Sequence, residues 1–170
     1  LPQSVGGNLF LDNLTSAEGL VLPQNIGGNL DLRSLDSAVG LVLPQSVGGN
    51  LFLDNLTSAE GLVLPQNIGG NLDLRSLDSA VGLVLPQSVG GNLFLDNLTS
   101  ADGLVLPQNV GGNLDLWYLT SAEGLILPYG FDLDKLKCSS YIKNEILQNP
   151  DNYFRKPPSE EENISVHHKR

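Results

Sequence analysis

Apolar residues fall at fixed places in a 21-residue register. In the first unit they are Leu1, Val5, Leu9, Leu11, Leu14, Ala17 and Leu20, and Leu22 opens the next. Six contiguous units begin at Leu1, Leu22, Leu43, Leu64, Leu85 and Leu106 and run to Ile126. A fixed period of this length marks an array in which each unit stacks on its neighbours. Apolar side chains alternate in two short stretches, Leu9-Phe10-Leu11 and Leu20-Val21-Leu22, which predicts two short strands per unit. Gly6-Gly7 and Gly19 precede these stretches and Pro23 follows the second, a punctuation that suits turns and leaves no room for a three-turn helix. Like strands 21 residues apart stack in parallel about 4.8 Å from one another. The expected fold is therefore all-β, a parallel β-solenoid (β-helix) of six coils about 29 Å long.

The units alternate in kind. The first, third and fifth carry Gln-Ser-Val and Leu-Phe-Leu-Asp-Asn-Leu, and the second, fourth and sixth carry Gln-Asn-Ile or Gln-Asn-Val and Leu-Asp-Leu. The larger repeat is thus a 42-residue pair, present three times across residues 1–126. Units one and three are identical, as are two and four, which points to recent duplication or to design. Past Ile126 the pattern changes. Residues 127–154 are predicted to cap the array: Phe131, Leu133 and Leu136 cover the last coil, Ser139 and Ser140 start a short helix through Tyr141, Ile142, Ile146 and Leu147, and Pro150 stops it. Tyr153 and Phe154 add an anchoring turn. Residues 155–170, with Pro157-Pro158 and Glu160-Glu161-Glu162, read as a disordered polar tail, in which His167 and His168 are solvated and ligate nothing.

The unit Leu-Pro-x-x-(Val/Ile)-Gly-Gly-x-Leu-x-Leu-x-x-Leu-x-x-Ala-x-Gly-Leu resembles a family of bacterial and phage-associated solenoid repeats of 20 to 21 residues. That family is often described as leucine-rich-repeat-like, and most of its members have no assigned function. The resemblance covers Leu1 to Ile126, and Leu127-Pro128-Tyr129-Gly130-Phe131 with the residues up to Cys138 resembles the closing segment of such arrays. A leucine-rich repeat places Asn three residues after its Leu-x-Leu pair. Here Asn13 or Ser34 lies two after it, which favours a β-solenoid over a horseshoe.

Charge narrows the choice of partners. The formal net charge is -10, and the repeats hold twelve Asp and Glu against only Arg33 and Arg75. Such a surface repels phosphate backbones, so no nucleic-acid partner is expected. With one cysteine, Cys138, and no His or Cys in the repeats, neither a disulfide framework nor a structural zinc site is expected. The lone cysteine fits a cytoplasmic setting. No apolar run approaches the roughly 20 residues of a membrane helix. The chain opens inside a repeat without Met, so it is expected to be a piece or a processed form of a longer protein.

Two ladders are candidate interaction surfaces. On the outer face of the first predicted strand, Phe10, Phe52 and Phe94 alternate with Asp31, Asp73 and Asp115. Beside them Asp12, Asp54 and Asp96 alternate with Arg33, Arg75 and Trp117, so that each Arg is expected between two Asp of neighbouring coils. This face could balance its own charge, or its recurring aromatic rings could grip a repetitive glycan or a protein. The second ladder is Val21, Val42, Val63, Val84, Val105 and Ile126, with Val39 and Val81 widening it. If Leu20 and Leu22 point inward, these residues form an outward apolar stripe, and such stripes mark interfaces.

Other signals lead less far. Asn8, Asn29, Asn50, Asn71, Asn92 and Asn113 follow every Gly-Gly and are expected as a stacked amide ladder at a bend. Gly-Gly-Asn-Leu-Asp-Leu lacks the further glycine and nine-residue period of a calcium-binding repeat. Asp36 and Asp78 interrupt the Thr15 column, against an ice-binding array. Asn13-Leu14-Thr15 and Asn163-Ile164-Ser165 match a glycosylation acceptor, which acts only in a secretory pathway. A regular rod offers no cleft for catalysis, so no enzyme activity and no cofactor are expected. The function this predicts is non-catalytic: protein binding or self-association through a solenoid face, or ligand binding on the Phe, Asp and Arg ladder.

Overall fold

A computed structural model describes residues 2–157; the expectations for the tail beyond residue 157, including His167, His168 and Asn163, lie outside the described residues. The array is a β-solenoid of six coils. Each coil contributes two parallel two-residue strands, one to each of two sheets. One sheet stacks Ser4–Val5, Asn25–Ile26, Ser46–Val47, Asn67–Ile68, Ser88–Val89 and Asn109–Val110 in that order. The other stacks Leu9–Phe10, Leu30–Asp31, Leu51–Phe52, Leu72–Asp73, Leu93–Phe94 and Leu114–Asp115, and ends on Leu136–Lys137 from the cap. Ser4 pairs with Asn25 and Leu9 with Leu30, so neighbouring coils align 21 residues apart.

This corrects one of the two strands. The Leu9 stretch pairs as expected, but Leu20-Val21-Leu22 forms no ladder, and the second strand lies at Ser4–Val5. The reason is the supply of donors. The Leu20 N–H closes a turn on Ala17 O at 3.0 Å, and Pro23, next after Leu22, has no N–H to give. Ladder bonding resumes only at Gln24, whose N–H reaches Gln3 O at 2.9 Å.

Two turns bend each coil. Leu14 N–H donates to Leu11 O and Leu20 N–H to Ala17 O, both at 3.0 Å. The second turn needs a positive φ at its third residue, and Gly19 supplies it at 70°. Between the bends the leucines converge on an axial core. In the third coil Val47, Leu51, Leu53, Leu56, Ala59 and Leu62 are all buried, and equivalent residues continue the columns above and below.

The Gly-Gly pair serves close approach between coils more than bending. A Cβ at Gly48 would stand 2.4 Å from Gly27 O, and one at Gly49 would stand 2.3 Å from Asn29 Oδ1. That Asn29 oxygen accepts the Asn50 N–H at 2.8 Å. The Asn column is therefore a ladder of side chain to backbone, repeated from Asn8 to Asn113, instead of one of amide on amide.

The cap closes the last coil as expected. Lys137 pairs with Asp115 to extend the second sheet. Helix α1 (Ser140–Gln148) starts at Ser139, whose Oγ accepts the Ile142 N–H, and buries Ile142 and Ile146. The anchoring turn reaches further than the sequence implies. Leu127 N–H donates to Tyr153 O, Arg155 N–H to Leu127 O at 2.9 Å, and the Arg155 guanidinium to Leu106 O at 2.7 Å. Arg155, expected in the tail, belongs to the cap.

Candidate interaction surfaces

The Val column follows from the turn before it. Leu41, Leu62, Leu83 and Leu104 leave the Ala-x-Gly-Leu turns and bury their side chains. The next side chain, that of the Val, faces the opposite way, as successive side chains do along extended backbone. Val21, Val42, Val63, Val84 and Val105 are 67% to 76% exposed, and Ile126 is 42% exposed. Val39 and Val81 are exposed on the adjoining turns. Half-buried Leu43, Leu64 and Leu85 flank the stripe, and Leu43 and Leu64 with Pro44 and Pro65 line a shallow groove beside Val63. No charged side chain interrupts the column.

The Phe, Asp and Arg face is arranged differently from the expected sandwich. Phe10, Asp31, Phe52, Asp73, Phe94 and Asp115 do stand in register on successive strands. Each Arg, however, binds the Asp of its own coil. Arg33 Nε lies 2.9 Å from Asp31 Oδ1 and 3.0 Å from Oδ2, and Arg75 Nε lies 2.9 Å from Asp73 Oδ1. The physical cause is reach: a guanidinium two residues further along the chain, in the turn that follows the strand, meets both carboxylate oxygens at once. Each arm then crosses the next aromatic ring, with the guanidinium carbon 5.5 Å from the centre of Phe52 and 5.4 Å from that of Phe94, within cation–π range.

These contacts occupy the face. Asp31 and Asp73 are only 2% exposed, and Phe52 and Phe94 are half-buried. Phe10, on the first coil with no Arg crossing it, is 59% exposed. The hydrogen bond from Arg33 holds the Asp31 carboxyl below its ordinary range, and the bond to Asp73 raises Arg75.

The second acid column has no such partner. Asp12 is exposed, while Asp54 and Asp96 are half-buried, each with one buried oxygen that accepts no hydrogen bond. Desolvation holds both carboxyls above the ordinary range. Trp117 ends the Arg column, half exposed. Beside it Asp115 is buried with an unbonded oxygen, a feature the sequence reading did not single out.

Among the described residues no group of three His, Cys, Asp or Glu is placed to hold a metal ion, and no helix is long and apolar enough to cross a membrane. Cys138 is half-buried, and burial raises its thiol pKa, the opposite of what an activated nucleophile needs. Set against known protein families, curated proteins and solved structures, the chain matches none of them.

Proposed function

We propose that the array is a non-catalytic interaction module that self-associates through the stripe of Val21, Val42, Val63, Val84, Val105 and Ile126. The observation that carries this reading is the continuous exposure of those side chains in an array whose described leucine columns are buried or half-buried. A row of branched side chains repeating at about 4.8 Å is matched in period by a second copy of itself, so two stripes interdigitate without any change of shape. The Phe, Asp and Arg face is the weaker candidate for self-association, because both of its arginines are already held by Asp31 and Asp73 and the rings they cross are half-buried.

The dimensions of the stripe set the strength. A strip about 29 Å long and one side chain, roughly 10 Å, wide is well below the ~800 Å² per partner of a standard interface. Association is therefore reversible and weak, with Kd on the order of 10 μM or above. Acidic turns at Glu18, Glu60, Asp102 and Glu123 are exposed near the stripe. Their mutual repulsion is screened by salt, so added salt strengthens the contact.

Sedimentation of the full chain over a concentration series tests this. The average mass rises above the 18.2 kDa of one chain, and rises earlier at 0.5 M than at 0.05 M NaCl. Replacing Val42, Val63 and Val84 with Thr returns the mass to that of one chain. A wild-type mass that stays at one chain to millimolar concentration refutes the proposal, as does growth that the triple replacement leaves unchanged.

A further inference from the structure

The array contains its own control for one unassigned group. In coils two and four a buried carboxylate, Asp31 or Asp73, accepts two-point bonding from the Arg two residues on, and that guanidinium lies over the Phe of the next coil. Coil six keeps the carboxylate and lacks both companions. Trp117 stands at the Arg position, and Lys137 stands in register with Asp115 where a Phe would be. Asp115 is nonetheless 9% exposed, and its Oδ1 is buried without a hydrogen-bond partner.

The neighbouring charges do not substitute. Lys137 turns its ammonium to Asp134 O at 2.9 Å, and the ion pairs among the described residues leave Asp115 out. Arg75 is committed to Asp73. Burial first, and then the negative charge of Asp96, hold the Asp115 carboxyl above its ordinary range, against the smaller pull of Lys137 and Arg75. A buried carboxylate in this condition gains from any cation that bonds it, and the chain has twice answered the same position with a guanidinium.

We propose that Asp115 and Trp117 form a receptor site for a guanidinium group presented by another molecule. The carboxylate accepts its two parallel N–H bonds, as Asp31 does from Arg33, once the side chains that close Oδ1 to solvent in the free chain give way. The Trp117 indole, 52% exposed, supplies the aromatic face that Phe52 and Phe94 supply in the earlier coils. The planar fork of a guanidinium fits two carboxylate oxygens at once, which an ammonium does not. Exposed Tyr118 follows Trp117 in the chain and offers further contact to a polypeptide that carries an arginine. This site is separate from the Val stripe and does not depend on self-association.

Trp117 is the only tryptophan in the sequence, so its emission reports on the site alone. The full chain is titrated at pH 7, below denaturing concentrations, with methylguanidinium, with a blocked Gly-Arg-Gly peptide and with its Gly-Lys-Gly counterpart. Both guanidinium probes should give a saturable change in emission, and the lysine peptide should bind several-fold more weakly. A response to the arginine peptide that greatly exceeds that to methylguanidinium points to a polypeptide source; equal responses point to a free guanidino compound. Asp115→Asn, which preserves shape, should lose the response while keeping the circular dichroism of the native chain. Trp117→Arg should rebuild the internal pair: its melting temperature rises, and the amide resonances of residues 113–116 no longer shift with the arginine peptide. No saturable response to either guanidinium probe, an equal response in Asp115→Asn, equal affinity for the lysine peptide, or a Trp117→Arg variant no more stable than the parent would each overturn the proposal.

Discussion

Gly69 and Gly6 hold the same place in their repeats, yet replacing each with Ala should have opposite consequences. Neither has a positive φ, so Ala is conformationally admissible at both, and only the neighbouring coil distinguishes them. A Cβ at Gly69 would stand 2.1 Å from Gly48 O, a backbone atom, where ordinary contact begins at 3.4 Å. At Gly6 nothing lies within 4 Å. To admit the methyl group at Gly69, coils three and four must part by about an ångström. That strains Gly69 N–H to Val47 O, Gly70 N–H to Gly49 O and Asn71 N–H to Asn50 Oδ1, now 3.0, 2.9 and 2.7 Å. At about 0.5–1.5 kcal/mol for each of the three bonds, the loss is roughly 1.5–4.5 kcal/mol. Gly6→Ala should lie within about 0.5 kcal/mol of the parent or gain slightly, because Ala restricts the unfolded chain. Equilibrium urea unfolding of both variants gives the difference. A Gly69→Ala variant that loses less than about 1 kcal/mol, or a Gly6→Ala variant that loses as much as Gly69→Ala, would falsify the close stacking of coils at the glycine column.

Two further outcomes follow from the charged face. Arg75→Met strands the buried Asp73 carboxylate; because the Arg side chain is 53% exposed, the loss falls below that of a fully buried pair, at about 1–3 kcal/mol. Adding Asp73→Asn should restore most of it in the same urea assay, and a single variant that costs nothing removes the pair from the account of stability. The pH dependence has a defined sign. Asp54, Asp96 and Asp115 have folded pKa values raised chiefly by burial, so the folded state binds more protons than the unfolded chain between the unfolded value of about 3.9 and the raised folded values. Stability therefore increases as pH falls through that window. Asp31, lowered by Arg33, contributes stability above about 3.9 that is lost at more acid pH. Urea midpoints between pH 7 and pH 4 should rise, and the slope should flatten in the Asp54→Asn, Asp96→Asn, Asp115→Asn variant; an unchanged slope contradicts the assignment.

The period, the number of coils and the capping helix are legible in the sequence because each rests on a signal repeated or punctuated in the chain: the leucine columns, Gly19 and its equivalents, and Ser139 before the helix. The Ser4–Val5 strand was hidden because two residues carry no alternation. The more evident alternation at Leu20-Val21-Leu22 belongs to backbone that Pro23 keeps from pairing. Its side-chain directions were still readable, since extended backbone alternates whether or not it pairs. The Arg contacts were misplaced for a different reason. Spacing shows that Arg33 neighbours Asp12 and Asp54 across coils, but only the path of the arm shows that it turns to Asp31 and covers it. Asp115 did leave a trace in the sequence, the break from Arg33 and Arg75 to Trp117 in an otherwise regular column, and comparing the three 42-residue pairs position by position is what exposes it.

The most direct test of self-association asks which side chains meet between molecules. In a sample mixing chains with 13C-labelled methyl groups and unlabelled chains, at a concentration where the mass exceeds that of one chain, filtered NMR experiments detect only contacts across the interface. The account predicts intermolecular contacts at the methyl groups of Val42, Val63 and Val84, and none at the buried Leu51 and Leu72. Intermolecular contacts that fall elsewhere and spare the Val column would contradict it.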